Sequence, residues 1–154
     1  MKHSAYSVVV ILMAGMLWTG RARTFTTYTD SLSGRIAPPG SSSMSVEADA
    51  AGALPGHLVV AVNVTNTDVT GGSWLLVVKQ TNADGSITEL GTLTGDVLGG
   101  TISRSEDGSI ASLNSLSVSI KTGSGNFTGA AGGTGTIGGT LSPPSFTGTM
   151  SLSF

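Results

Sequence analysis

Strict two-residue alternation recurs along this chain, and it constrains the fold more than any other feature. Met44, Val46, Ala48 and Ala50 fall on one face, with Ser45, Glu47 and Asp49 on the other. Leu116, Val118 and Ile120 alternate with Ser115, Ser117, Ser119 and Lys121. Phe146, Gly148, Met150, Leu152 and Phe154 alternate with Thr147, Thr149, Ser151 and Ser153. Successive strand side chains point to opposite faces, so this pattern predicts antiparallel strands with one apolar face and one hydroxyl-bearing, wet face. After residue 22, no stretch carries a 3.6-residue apolar period with caps. The Ala-rich segment from Glu47 to Leu54 has room for one helical turn.

Two further runs, His57 to Thr65 and Ser73 to Thr81, are apolar on both faces. Their composition predicts strands in the most covered part of a sheet. Ile87 to Thr94 and Val97 to Ser103 complete the middle of the chain. Asp84-Gly85 and Asp107-Gly108 read as hairpin turns, because glycine tolerates the positive φ that tight turns need. Gly71-Gly72, Gly99-Gly100 and Gly138-Gly139 read as breaks, and the Pro38-Pro39 and Pro143-Pro144 segments as loops. About eight short strands result. Lys and Pro gatekeepers are scarce, so closing the sheet is the simplest way to remove exposed edges. The expectation is an all-β fold: a closed or nearly closed antiparallel barrel of about eight strands, after an N-terminal signal peptide.

That leader is read from residues 1–22. Lys2 supplies a positive start, Val8 to Trp18 an apolar core, and Gly20 and Ala22 the small residues before a cut at Arg23. The apolar run is too short to span a bilayer, which takes about 20 residues. The expected organisation is a signal peptide over 1–22 and one barrel domain over 23–154, secreted or held in the periplasm or cell envelope. Removing the leader leaves 5 basic and 9 acidic side chains, a net charge of −4. Such a chain carries no electrostatic footprint for nucleic acid. Charged residues make up only 10% of the 154, while mean hydropathy is +0.27, which excludes ordinary disorder.

Catalytic and metal motifs are sparse. With no Cys, disulfides, thiolate zinc sites and thiol catalysis are excluded. His57 is the one histidine after the leader, too few for a multi-histidine metal site or a recognisable triad. Gly133 to Gly138 matches G-x-G-x-x-G, but Gly139, Ser142 and Pro143 follow where a dinucleotide site needs a helix. The Asp-Gly turns lack the first Asp and the bidentate Glu of an EF-hand. No cofactor and no metal are therefore expected. Three polar residues on apolar stripes are the candidate pocket residues: Asn63 beside Val59 and Ala61, Lys79 beside Leu75 and Val77, and Glu89 beside Ile87 and Leu93. Pointing into a barrel, each would need a partner or a wet cavity. Each also lies near a strand end, where a one-residue slip turns it outward.

Gly123-Ser124-Gly125-Asn126-Phe127-Thr128-Gly129-Ala130-Ala131-Gly132 resembles the G-x-G-x-F-x-G-A-x-G segment of dirigent and allene oxide cyclase-like barrels. The succession W-x-L-x-V at Trp74, G-T-L-x-G at Gly91, G-G-T-I at Gly99 and the closing Phe146–Leu152 unit also resembles exported bacterial proteins of unknown function. The resemblance implies an eight-stranded barrel with a central cavity for an apolar small molecule. Three functions follow as expectations. The first is an exported, non-catalytic barrel that binds a small apolar ligand or serves as an envelope structural protein. The second is a cyclase- or dirigent-type enzyme acting on such a molecule. The third is a small outer-membrane barrel, suggested by the alternating segment that ends in Phe154, and only this one would bring in a membrane. An aromatic content of 5% is low for the two girdles that a membrane barrel carries.

Overall fold

The alternating segments close on themselves. The structure is a computed structural model and describes residues 24–37, 42–107 and 110–154. The leader read from the sequence lies outside them, as do residues 38–41 and 108–109, on which the Pro38-Pro39 loop and Asp107-Gly108 turn readings fall. Strands run β1 (Thr27–Ile36), β2 (Ser43–Gly52), β3 (Gly56–Thr65), β4 (Asp68–Thr81), β5 (Ile87–Arg104), β6 (Ile110–Ser119), β7 (Thr122–Gly123), β8 (Thr134–Ser142) and β9 (Ser145–Ser153). Every pairing is antiparallel, and β1 pairs with both β2 and β9. Pairing of β4 with β5 completes the ring, so eight strands follow one another around a closed barrel. The two-residue β7 extends the lane of β6 along β5, pairing Thr122 with Thr94 and Gly123 with Leu93. The closed barrel expected from the edge argument is therefore present.

The faces follow the alternation. Phe146, Met150 and Leu152 are buried, while Thr147 and Thr149 are exposed. Val46, Leu58, Leu76, Leu93, Leu116 and Ile137 meet them inside, in one continuous core. An eight-stranded barrel is just wide enough for side chains to fill, and these do so. Gly34 shows how tightly the wall is drawn. A Cβ there would land on the Glu47 carbonyl and the Ala48 backbone, so β1 can approach β2 only without a side chain.

Several local expectations are corrected. Gly71-Gly72 lies inside β4, Gly99-Gly100 inside β5, and Gly138-Gly139 inside β8. These glycines do not end strands. The register shifts between Val97 and Thr101 bend β5 where Gly100 has φ +156°, curving the sheet into the ring. Glu47 to Leu54 holds no helical turn, because β2 extends to Gly52. Among the described residues, no second layer covers the apolar outer faces of β3 and β4. Val59 and Val77 are half-buried, and Leu75 is 36% exposed.

The two ends differ. One end receives the start of β1, the β2–β3 and β4–β5 connections, the crossover from Ile120 to Gly133, and Phe154. Here Tyr28 stacks on Phe154 with centroids 4.8 Å apart, and Phe127 meets Phe154 edge-on at 6.2 Å. Phe127, in the short 3-10 turn Gly125–Phe127, packs partly buried against the core. We call this the aromatic end. The opposite end carries Arg35, Asp68, Arg104, Glu106 and Asp107, all exposed.

Candidate functional site

The three polar residues singled out from the sequence are brought to the outside of the wall, not to a pocket within it. Asn63, Lys79 and Glu89 are all exposed. For Asn63 and Lys79 the cause is the choice of face. β3 turns Leu58, Val60 and Val62 inward, and β4 turns Trp74, Leu76 and Val78 inward, which sends the alternate set out. For Glu89 the cause is a bulge. Val78 pairs with Gly91 but Lys79 pairs with Glu89, so Leu90 is the extra residue and reverses the parity of β5 below it. Glu89 consequently stands across the ladder from Lys79 on the outer face. The structure brings these two together and leaves Asn63 apart.

Asn63 lines a depression of about 500 Å³ on the outer wall, with Ala37, Ser43, Ser45, Ala61, Gly72 and Ser73. A second trough of about 490 Å³ lies where β6 bulges away from β8. Ser115 sits in that bulge at φ +46°, a conformation uncommon for a residue with a side chain. The trough is lined by Ser112, Asn114, Thr140, Thr147 and Thr149 over Gly138, Gly139 and Gly148. Ser112 donates to Asn114 Oδ1 at 2.8 Å, and Asn114 Nδ2 donates to Ser103 Oγ at 2.9 Å. The result is a fixed, uncharged, hydroxyl-and-amide surface. A third, smaller hollow of about 220 Å³ opens at the aromatic end among Thr24, Phe25, Gly129, Ala130, Ala131 and Phe154.

Titratable groups do not converge on any of these hollows. His57 donates from Nδ1 to Asp49 Oδ1 at 3.1 Å on the open surface of β2 and β3. Lys121 pairs with Asp96 at 2.7 Å, also on the outside. Asp84 Oδ1 accepts from the Ser86 hydroxyl at 2.6 Å and from the Ser86 backbone N–H at 2.9 Å. These bonds, the hydroxyl first, hold the Asp84 carboxyl below its ordinary value and clasp the β4–β5 hairpin. The G-x-G-x-x-G stretch runs into β8 with no helix after it. Among the described residues, no group of three His, Cys, Asp or Glu side chains could hold a metal ion.

Asp30 is the one functional-type side chain that the sequence reading passed over. It is 2% exposed and points inward from β1 near the aromatic end. Its Oδ1 accepts from the backbone N–H of Leu54 at 2.8 Å, while Oδ2 has no partner among the described residues. Asp30 thereby ties the β2–β3 connection across the barrel mouth and seats Leu54 in the core. Its position between Tyr28 and Leu32 on one alternating face is the signal that could have found it. Compared with known proteins, the chain matches no protein-family model, no curated protein and no solved structure.

Proposed function

We propose that the protein is an exported, non-catalytic barrel of the cell envelope or its surroundings, structural in role, whose working surface is the outside of its wall. One observation carries this reading: apolar side chains from all eight barrel strands fill the interior. A binder or cyclase of small apolar molecules needs an apolar chamber with a few convergent polar groups. Here Asn63, Lys79 and Glu89 are outside, Asp30 is the one buried charged side chain among the described residues and is tied to Leu54, and the hollows described above lie on the wall or at one end. The leader-like residues 1–22 support export. The outer face argues against a lipid-embedded barrel, because Thr27, Thr29, Ser31 and Ser33 of β1 and Thr147 and Thr149 of β9 are all exposed there. A membrane barrel turns an apolar band to the lipid instead.

Methyl NMR of the barrel, titrated with a fatty acid, a terpenoid and a monolignol-like phenol, tests the reading. The inward methyls of Leu58, Leu116 and Met150 should not move. Saturable shifts at those methyls would overturn the proposal in favour of an internal ligand site and restore the cyclase- or dirigent-type alternative. Mass spectrometry of cell fractions tests export. A form beginning near Arg23 in the envelope or medium is expected, and intact Met1–Phe154 confined to the cytosol would refute it.

A further inference from the structure

We infer that the trough between β6 and β8 is a binding site for a neutral glycan chain. The inference rests on the reading that the outer wall is the working surface, and it names the class of partner that this surface takes. Ionisable side chains are unevenly spread around the ring. Outward positions of β2 to β5 carry Glu47, Asp49, His57, Lys79, Glu89 and Asp96. β6, β8 and β9 contain no ionisable residue. Arg35 stands at the rim, across from Ser145. Arg104, beyond Ser103 on β5, donates to the Asn66 carbonyl at 3.3 Å on the β4 side of its strand. Within the uncharged sector the outward hydroxyls stand in register, Thr140 with Thr147 and Thr136 with Ser151. Gly138, paired with Thr149, is an outward position with no side chain, and the trough of about 490 Å³ opens over it. Asn114 and Ser115, the residues of the β6 bulge, form its other side.

The lining selects the ligand. Among the described residues, no ionisable or aromatic side chain borders the trough. An anion would find no cation there, and an apolar molecule would strip water from hydroxyls without replacing its bonds. Protein interfaces favour aromatic, Met and Arg side chains and are poor in Ser, which is the reverse of this composition. A sugar hydroxyl both donates and accepts, as Ser and Thr hydroxyls do, and the latter rotate to suit. Asn114 adds a fixed group: Ser112 donates to its Oδ1 at 2.8 Å and its Nδ2 donates to Ser103 at 2.9 Å, which leaves one Oδ1 lone pair for a ligand. Each such bond contributes little after exchange with water. The ligand is therefore a chain that engages several at once, rather than a single sugar. A closed ring of eight strands turns its wall by about 45° per strand, so a flexible chain can follow this surface and a flat crystalline face cannot.

The test is an NMR titration of the protein with two soluble neutral glucans, dextran and laminarin, and with polygalacturonate as the acidic counterpart. A neutral glucan should give saturable shifts at the backbone amides of Ser115 and Gly138 and at the Asn114 side-chain amide. Gly138→Thr fills the trough and should weaken binding at least tenfold. A Cβ there comes within 3.3 Å of Leu113 O and Ser115 N, contacts that a shift of a few tenths of an ångström relieves, and circular dichroism checks the fold. Thr149→Ala removes one exposed hydroxyl and should weaken binding by about two- to tenfold, the loss of one hydrogen bond. Asn63→Ala, in the other depression of the wall, should leave it unchanged. An equal loss with Asn63→Ala, or tighter binding of polygalacturonate, would overturn the inference. No shift at the trough with either glucan would also overturn it, and the outer-wall reading would stand if the inward methyls of Leu58, across the ring, stayed still as well. Shifts at those methyls in place of the trough would overturn both.

Discussion

Phe146→Ala tests the filled interior most directly. Phe146 is 1% exposed, and its ring lies over Gly139 of neighbouring β8 and Gly148 of its own strand. A Cβ on Gly139 would come within 2.7 Å of the ring, and one on Gly148 within 2.9 Å. The missing side chains of those glycines are the space that the ring occupies. Burial of the ring contributes about 1.5–3 kcal/mol, and the cavity left by truncation adds to the loss. The wall cannot collapse into that cavity, because Gly139 of β8 and Gly148 of β9 are paired with each other in the β8–β9 ladder. Phe146→Ala should therefore cost about 3–5 kcal/mol, and for a domain of this size the melting temperature should fall by roughly 10–20 °C. Urea denaturation followed by the fluorescence of buried Trp74 measures it, with Thr147→Ala as the control on the opposite face. A cost below about 1 kcal/mol for Phe146→Ala would refute the filled interior. A larger cost for Thr147→Ala would show that β9 is one residue out of register.

Gly34→Ala should prevent closure of β1 on β2, because the added methyl meets backbone and not a movable side chain; soluble expression at wild-type yield with unchanged melting would count against that packing. Asp30→Ala should destabilise by about 1–3 kcal/mol, the cost of leaving the buried Leu54 N–H without an acceptor, while Asp30→Asn should lose less because it keeps an oxygen in place. Hydrogen exchange at the Leu54 amide checks this, and faster exchange in neither variant would remove the tie. Asp84 should titrate below its ordinary value of 3.8 by NMR, and Ser86→Ala should move it upward. Because the folded value is the lower one, the clasp contributes above the unfolded value and is lost as pH falls through the folded value; an Asp84 titration above 3.8 would contradict the geometry.

The alternating segments were legible wherever apolar residues held every inward position. β9 and the first part of β2 needed nothing more, since a one-residue slip in either would bury hydroxyls or carboxylates. β1 was not legible, because Asp30 and Gly34 occupy inward positions and interrupt the apolar series. β4 ran longer than expected because Gly71-Gly72 bends the strand rather than ending it, and the runs Ile87 to Thr94 and Val97 to Ser103 join through Gly95-Asp96 into the single strand β5. In β3 and β4 both faces are apolar, so periodicity alone could not say which one turns inward, and Asn63 and Lys79 were drawn toward a pocket they do not reach. The parity of Glu89 depends on the single extra residue Leu90, and no local pattern marks that bulge. The Gly-rich stretch around Phe127 carried no strand or turn reading of its own, and its place across the barrel mouth depends on the ring being closed.

The pairing of β1 with β9 has a kinetic consequence. All other neighbours in the ring are close in sequence, so hairpins can form locally and early. The last pair joins Thr27 to Ser153 and Arg35 to Ser145, the most distant contact in the barrel. Closing so long a loop is entropically unfavourable until the other strands are in place. As the chain is synthesised, β1 must wait with an unpaired edge until its final partner emerges. A polypeptide that cannot complete its fold before its last strand is made stays pliable through synthesis, the condition that the export proposed above would require of it.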